Sequence, residues 1–264
     1  MKIARARLQD GSIRHGLVEG QDLLRLIEGD LFGAWHATDQ IVPLGQVSLL
    51  APVAPPNIFA IGLNYRAHAQ ESKAAFPERP VIFIKATTAV CGPDEAIVLP
   101  QAAPHEVDYE CELAIVIGKR AKHVPAERAL DYVLGYTCAN DVSARDCQQR
   151  LDKQWARAKS FDTFAPLGPW IETELDPERA ALRTRLNGAV MQDSNTADMI
   201  FSCRELIAHI SQAMTLLPGT VIMTGTPSGV GFARKPPIFL RPGDVVEIEV
   251  EGIGALRNPV IAER

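Results

Sequence analysis

No part of this chain is apolar for long enough to cross a bilayer. Runs such as Leu113 to Ile117 fall far short of the roughly 20 residues that a spanning helix needs. The opening MKIARARLQDGSIRHG alternates apolar and charged positions and lacks the apolar core of a signal peptide, so the expectation is a soluble, cytoplasmic protein with no membrane partner. Blocks of like charge are absent. Lys and Arg number 27 against 32 Asp and Glu, a formal net charge of −5, which argues against the basic face of a nucleic-acid binder. The five cysteines are an odd number without CxxC spacing, and this excludes a disulfide framework and a zinc knuckle. Cys138 and Cys203 sit in apolar surroundings and read as small core residues, and no patterned His accompanies any thiol. Internal repeats and low-complexity tracts are missing, as is the βαβ alternation of a nucleotide-binding sheet.

What is present is a chain of 264 residues, 47% hydrophobic, long enough to bury a sizeable core. Lys2 to Arg7 and Ser12 to Val18 alternate about a turn at Asp10-Gly11, the pattern of a hairpin. APVAPPN, residues 51–57, holds three prolines in seven positions and cannot continue a helix. We place a boundary there, between a small N-terminal β region (1–50) and a larger unit (51–264). Beyond it the apolar segments are short and punctuated by Gly and Pro: Ile58 to Gly62, Val81 to Ile84, Leu113 to Ile117, Val221 to Met223 and the alternating Val245 to Val250. Helical signals are fewer. Asn64 is a candidate cap for a turn through Tyr65 to Lys73, and Pro125 to Tyr132 has an early proline. Ser202 to Leu217 has helical apolar spacing and ends at Pro218-Gly219. The fold class is α+β and β-rich.

Five segments carry the chemistry. In HEVDYECELAIVIGK, residues 105–119, a strand would put Asp108, Glu110 and Glu112 on one face. Three like charges so close repel one another unless a cation sits between them, and all-oxygen ligands select a hard divalent ion. The plain alternative is a solvated acidic edge strand. In GYTCANDVSARDCQ, residues 135–148, Asp141 falls at a strand end, where functional groups tend to sit. Arg145 and Gln148 follow at helical offsets and suit a substrate carboxylate. An N-cap for Asp141, and a surface pair for Arg145 with Asp146, are the plain readings. In GLNYRAHAQE, residues 62–71, His68 and Glu71 share a helix face as i and i+3, the arrangement that holds an imidazole in one tautomer as a general base. AKSFDTFAPLGP, residues 158–169, offers Lys159 as its only cation, against the plain reading of a solvated lysine. TGTPSGVG, residues 224–231, lacks P-loop spacing, yet its close amides with the Thr224 and Thr226 hydroxyls could cradle an anionic oxygen, or simply make a tight turn.

Taken in this order, NYRAH, VDYECELAIVIGK, GYTCANDVSARDCQ, KSFDTFAPLGP and TGTPSGVG resemble the fumarylacetoacetate hydrolase family from about Asn57 to Asn258. The resemblance implies a fumarylacetoacetase-like fold, with strands rolled around a metal site and usually a homodimer. It implies Glu110, Glu112 and Asp141 as ligands of Mg2+ or Mn2+, with Asp108 behind them. It also implies His68 and Glu71 as the catalytic pair, Lys159 near the metal, and Arg145, Gln148 and Thr226 near the substrate's carboxylate. Ala67 stands where similar proteins often have Asp, and Cys111 where Gly is usual. These departures leave the ligand set intact and put the substrate in doubt.

The expected substrate is a small 2-oxo acid held through its carboxylate and keto oxygens, the metal stabilising an enolate. Because a water-activating pair is present, the favoured reaction is C–C bond hydrolysis of an acylpyruvate. Decarboxylation of an oxaloacetate-type substrate or isomerisation of a 2-oxo dioate from aromatic degradation is the alternative. A non-catalytic, metal-stabilised β module is the rival of another class. Residues 72–80 are expected to help set specificity.

Overall fold

The computed structural model describes residues 1–264. Its architecture is β-rich, as the short apolar segments require. A 12-stranded mixed sheet runs in the order Trp35–Pro43, Leu23–Gly29, Ile13–Glu19, Lys2–Arg7, Ala165–Glu172, Val133–Asn140, Cys111–Ile117, Val221–Met223, Ile58–Gly62 and Val81–Lys85. Ser48–Leu50 and Val90–Cys91 join it off this path. A five-stranded sheet, Ala189–Asn195, Ala181–Leu186, Val245–Val250, Gly254–Ala262 and Ile97–Leu99, packs against it.

The predicted hairpin forms between Lys2–Arg7 and Ile13–Glu19, with Arg5 opposite His15. Its first strand also pairs with Ala165–Glu172, Ile3 opposite Ile171, so the N-terminal strands are hydrogen-bonded into the same sheet as the rest. The proline-rich segment 51–57 carries neither helix nor strand. Val245–Val250 alternates half-buried and buried positions, as its period-2 pattern demands.

Cys111–Ile117 corrects the edge-strand alternative. It lies between Val133–Asn140 and Val221–Met223, and every one of its residues is buried. A near-continuous apolar run is what a strand covered on both faces needs, and the acidic residues ahead of it are buried with it.

The helices are shorter than the sequence patterns suggest. Arg66–Glu71 replaces the expected turn through Lys73, because Lys73 adopts a positive φ of 54°. Asn64 does not cap this helix. Its amide instead donates to Phe201 O (3.0 Å) and Thr224 O (2.7 Å), while Asp198 accepts the Ala67 N–H at 3.0 Å. Cys203–Ala213 starts at a reciprocal capping box between Ser202 and Glu205 and ends before Met214, whose φ of −122° is extended. Pro125 leads a 3-10 turn over Ala126–Tyr132. None of these helices is long and apolar enough to cross a membrane. All five cysteines are free and buried, and burial pushes the Cys138 and Cys203 thiols up to about 12, which leaves them inert.

Candidate active site

Antiparallel pairing assembles the acidic centre. Cys111 faces Asn140 across the ladder, which brings Glu110, one residue before its strand, beside Asp141, one residue after its own. The Asp141 N–H donates to Glu110 O at 2.9 Å, and the Asn140 side-chain oxygen accepts the Glu110 N–H at 2.9 Å. Glu112 lies two residues along and so projects to the same side as Glu110. One carboxylate oxygen from each of Glu110, Glu112 and Asp141 lies within 4.8 Å of the others, and all three residues are buried.

Buried carboxylates need positive partners. Lys159 donates to Glu110 at 2.7 Å and to Asp141 at 2.6 Å, and Lys85 pairs with the other oxygen of Asp141. Burial works against the charge on Lys159, but Asp141 and Glu110 outweigh it and hold the ammonium above the usual lysine range. For Lys85 burial prevails over Asp141, and its pKa falls. Glu110 is the reverse case: burial is the largest influence, yet Lys159 and Arg145 together hold it below the usual carboxylate range. Glu112 differs. It accepts the Gly225 N–H at 2.7 Å and makes no ion pair within 4.0 Å. Burial, reinforced by Asp141 and Glu110, raises its pKa well above the usual range. Four buried carboxylates, counting Asp108, thus face three cations, and the carboxylate without a cationic partner belongs to the converging trio. That all-oxygen donor set fits a hard divalent ion.

The solvated-surface alternatives for Arg145 and Lys159 are overturned, since both residues are buried. Arg145 lines the cavity with its guanidinium engaged by protein groups. Its Nε donates to Asp108 at 2.9 Å, its Nη2 lies 2.6 Å from Glu110, and its Nη1 donates to Gln148 at 2.8 Å. Its fork is therefore occupied by protein groups, because two buried carboxylates lie beside it. Asp108, behind the trio as expected, anchors this arginine and accepts the N–H groups of Gly231 (2.8 Å) and Phe232 (3.0 Å).

The Gly-rich loop does cradle anionic oxygens, and they are the protein's own. Gly225 N–H holds Glu112, and Gly229 N–H holds Glu71 at 3.0 and 3.1 Å. Gly229 has φ +99°, and a Cβ there would lie 2.3 Å from Met191 O, so no other residue fits. Glu71 in turn contacts His68 Nδ1 at 3.3 Å, joining the pair as the i, i+3 spacing predicts.

A cavity of about 210 Å3 collects the rest: His68, Glu110, Asp141, Lys159, Arg145 and Gln148, with Thr226 beside them. Glu112 and Glu71 stand behind its wall, each fixed by the glycine loop. Phe83 and Trp155, stacked edge to face at 5.5 Å, form an apolar side, and Ser72 and Ala74 bring the 72–80 segment to the rim. Sequence reasoning missed Lys85, whose signal was a lysine ending the apolar run VIFIK. It also missed Gln192, which has no local motif.

A rolled mixed sheet burying three converging carboxylates under a short His/Glu helix defines an enzyme of the fumarylacetoacetase-like fold. The fumarylacetoacetate (FAA) hydrolase C-terminal pattern matches residues 57–261, and a Rv2993c-like N-terminal pattern matches residues 1–52. The chain belongs to the fumarylacetoacetate hydrolase family. It is 47% identical to the oxaloacetate tautomerase Fahd2a of Rattus norvegicus, a mitochondrial protein, over 84% of this chain and 72% of that one. The crystal structure of 5-carboxymethyl-2-hydroxymuconate delta-isomerase from Mycobacterium smegmatis matches over all of both chains at 48% identity, with a TM-score of 0.90. That of 2-hydroxyhepta-2,4-diene-1,7-dioate isomerase from Mycobacterium marinum matches over 100% of this chain and 99% of its own at 45% identity, with a TM-score of 0.89.

Proposed function

We propose that this protein is a divalent-metal-dependent enzyme that shifts a proton on a small 2-oxo dicarboxylate, interconverting keto and enol forms or double-bond isomers. The observation that carries this reading is the convergence of Glu110, Asp141 and, behind them, Glu112 on the same cavity as His68. Glu110, Glu112 and Asp141 would hold Mg2+ or Mn2+, and the chemistry such an ion supplies is Lewis-acid polarisation of the 2-oxo group.

The protein's own residues supply the remainder. Glu71 engages His68 at Nδ1, which leaves Nε2 free to take or return a proton at the carbon beside the 2-oxo group. Lys159 brings a buried positive charge to the cavity where negative charge develops on substrate oxygen. Gln148 and Thr226 receive a carboxylate, with Arg145 contributing charge from its place beside Asp108. The apolar Phe83 and Trp155 wall keeps water from the reacting carbon.

The hydrolytic reading uses the same His68–Glu71 pair on a water molecule. Proton transfer takes precedence over it because the oxaloacetate tautomerase and the two isomerases described above share 45 to 48% identity with this chain, and their reactions need no water. A non-catalytic β module would leave the His68–Glu71 pair without a task. The test is to give the protein oxaloacetate and, in a parallel assay, an acylpyruvate, each with Mg2+, following the enol band and pyruvate release together. Accelerated keto–enol equilibration without matching pyruvate is expected. Faster release of pyruvate from an acylpyruvate than any proton shift would overturn the reading.

We also propose a homodimer, supported by the exposed apolar residues Val81 and Ile84 on the edge strand Val81–Lys85. Light scattering should give about twice the chain mass of 28.8 kDa, and a mass equal to one chain would overturn this.

A further inference from the structure

Gln192 lies outside the cavity wall, on a strand of the smaller sheet, yet its side chain bridges the acidic strand and the glycine loop from that separate sheet. A β-bulge aims it there. Thr184 pairs with Gln192 while Arg185 pairs with Val190, so Met191 is the extra residue of its strand, and Met191 and Gln192 are both buried. The Gln192 amide is fully engaged. Its Oε1 accepts the backbone N–H of Cys111 at 2.9 Å and the Thr184 hydroxyl at 2.7 Å. Its Nε2 donates to Pro227 O at 2.9 Å and to Thr226 Oγ1 at 2.8 Å.

The polarity of this network is dictated by its ends. The Cys111 N–H can only donate, so it must meet the amide oxygen. The Pro227 carbonyl can only accept, so it must meet the amide nitrogen. Thr226 Oγ1 therefore accepts from Gln192, and the Thr226 proton must point elsewhere. Thr226 is 5% exposed, lines the cavity, and donates to no protein acceptor.

We propose that Gln192 is a positioning residue that holds the Thr226 hydroxyl as a hydrogen-bond donor into the cavity, toward an anionic oxygen of the substrate. This rests on the cavity being the site of a 2-oxo dicarboxylate. Without Gln192 the hydroxyl can turn its lone pairs toward the substrate, and a donor becomes a repelling acceptor.

The experiment is a double-mutant cycle read by Mg2+-dependent oxalate binding in calorimetry. Gln192→Met should weaken oxalate about tenfold, the scale of a hydrogen bond to a charged group, with Mn2+ affinity measured alone unchanged. In a Thr226→Val background the same change should have almost no further effect, because the hydroxyl it orients is gone. Equal weakening in both backgrounds, or none in the first, overturns the proposal. Neutron diffraction on the deuterated wild-type protein decides the same point even where Gln192→Met does not fold. A Thr226 deuteron directed away from Gln192 is expected, and one on the line to Gln192 overturns the proposal. Absence of oxalate binding by the wild type counts against the substrate reading alone, and the neutron map then decides the polarity.

Discussion

Glu112 accepts one backbone N–H and has no cation beside it, whereas Glu110 and Asp141 share Lys159. His68 sits across the same cavity with Glu71 at its Nδ1. These residues divide the work and should separate under substitution. Glu112→Gln removes an oxygen anion from the trio, and Mn2+ affinity and turnover should fall together, by tenfold or more. His68→Ala should abolish turnover while Mn2+ binds as in the wild type. Titration calorimetry alongside turnover measurements checks both, and full activity of a metal-stripped Glu112→Gln protein would sink the metal assignment. All the candidate residues were legible as residue types. What could not be read was their partnering, as Arg145 illustrates: free in the sequence, it is held by Asp108 and Glu110 in the fold.

At the scale of elements, Arg66–Glu71 carries the His68–Glu71 pair but has only six residues and no side-chain cap, so it cannot be stable alone. It is held by Asn64, Asp198 and the Gly229 N–H to Glu71. Cys203–Ala213 supports this region, since Phe201 just before it exchanges hydrogen bonds with Asn64. Ser202→Ala removes the capping box of that helix and should cost about 1 kcal/mol. Urea denaturation checks it, with activity at saturating metal expected to stay near wild type. Strand pattern and Pro/Gly punctuation were readable because alternation and apolar runs are local properties. The helix ends were not, because Asn64 gains more from bonding Thr224 and Phe201 than from capping its own turn.

For the molecule as a whole, the N-terminal hairpin joins the large sheet through Ile3 and Ile171 and touches the proline segment through His15, whose Nε2 lies 3.3 Å from Pro52 O. Burial lowers the His15 pKa from its ordinary 6.5; Arg5 on the facing strand adds to this, while the Pro52 carbonyl and Asp30 oppose it. Folding therefore favours neutral His15. Its contribution to stability is complete above about pH 6.5 and declines as pH falls toward the lower folded value. The stability lost between about pH 7.5 and about pH 5, measured by urea titration, should be smaller in His15→Gln than in the wild type. An identical loss in both would remove His15 as a source of acid sensitivity.

By itself the sequence determined the β-rich class, the two acidic positions at strand spacing, the His68–Glu71 helix pair and the family. The local features are each carried by residues within about ten positions of one another, and the family by five such motifs in order along the chain. Only the tertiary structure decided that Asp141 meets Glu110, that Lys85 is buried against Asp141, that Glu112 lacks a cation, and that Gln192 reaches Thr226 from another sheet. The contacts among these join residues 31 to 56 positions apart. Such pairs form only when strands distant in the chain become neighbours in the sheet, and no local spacing encodes which ones will.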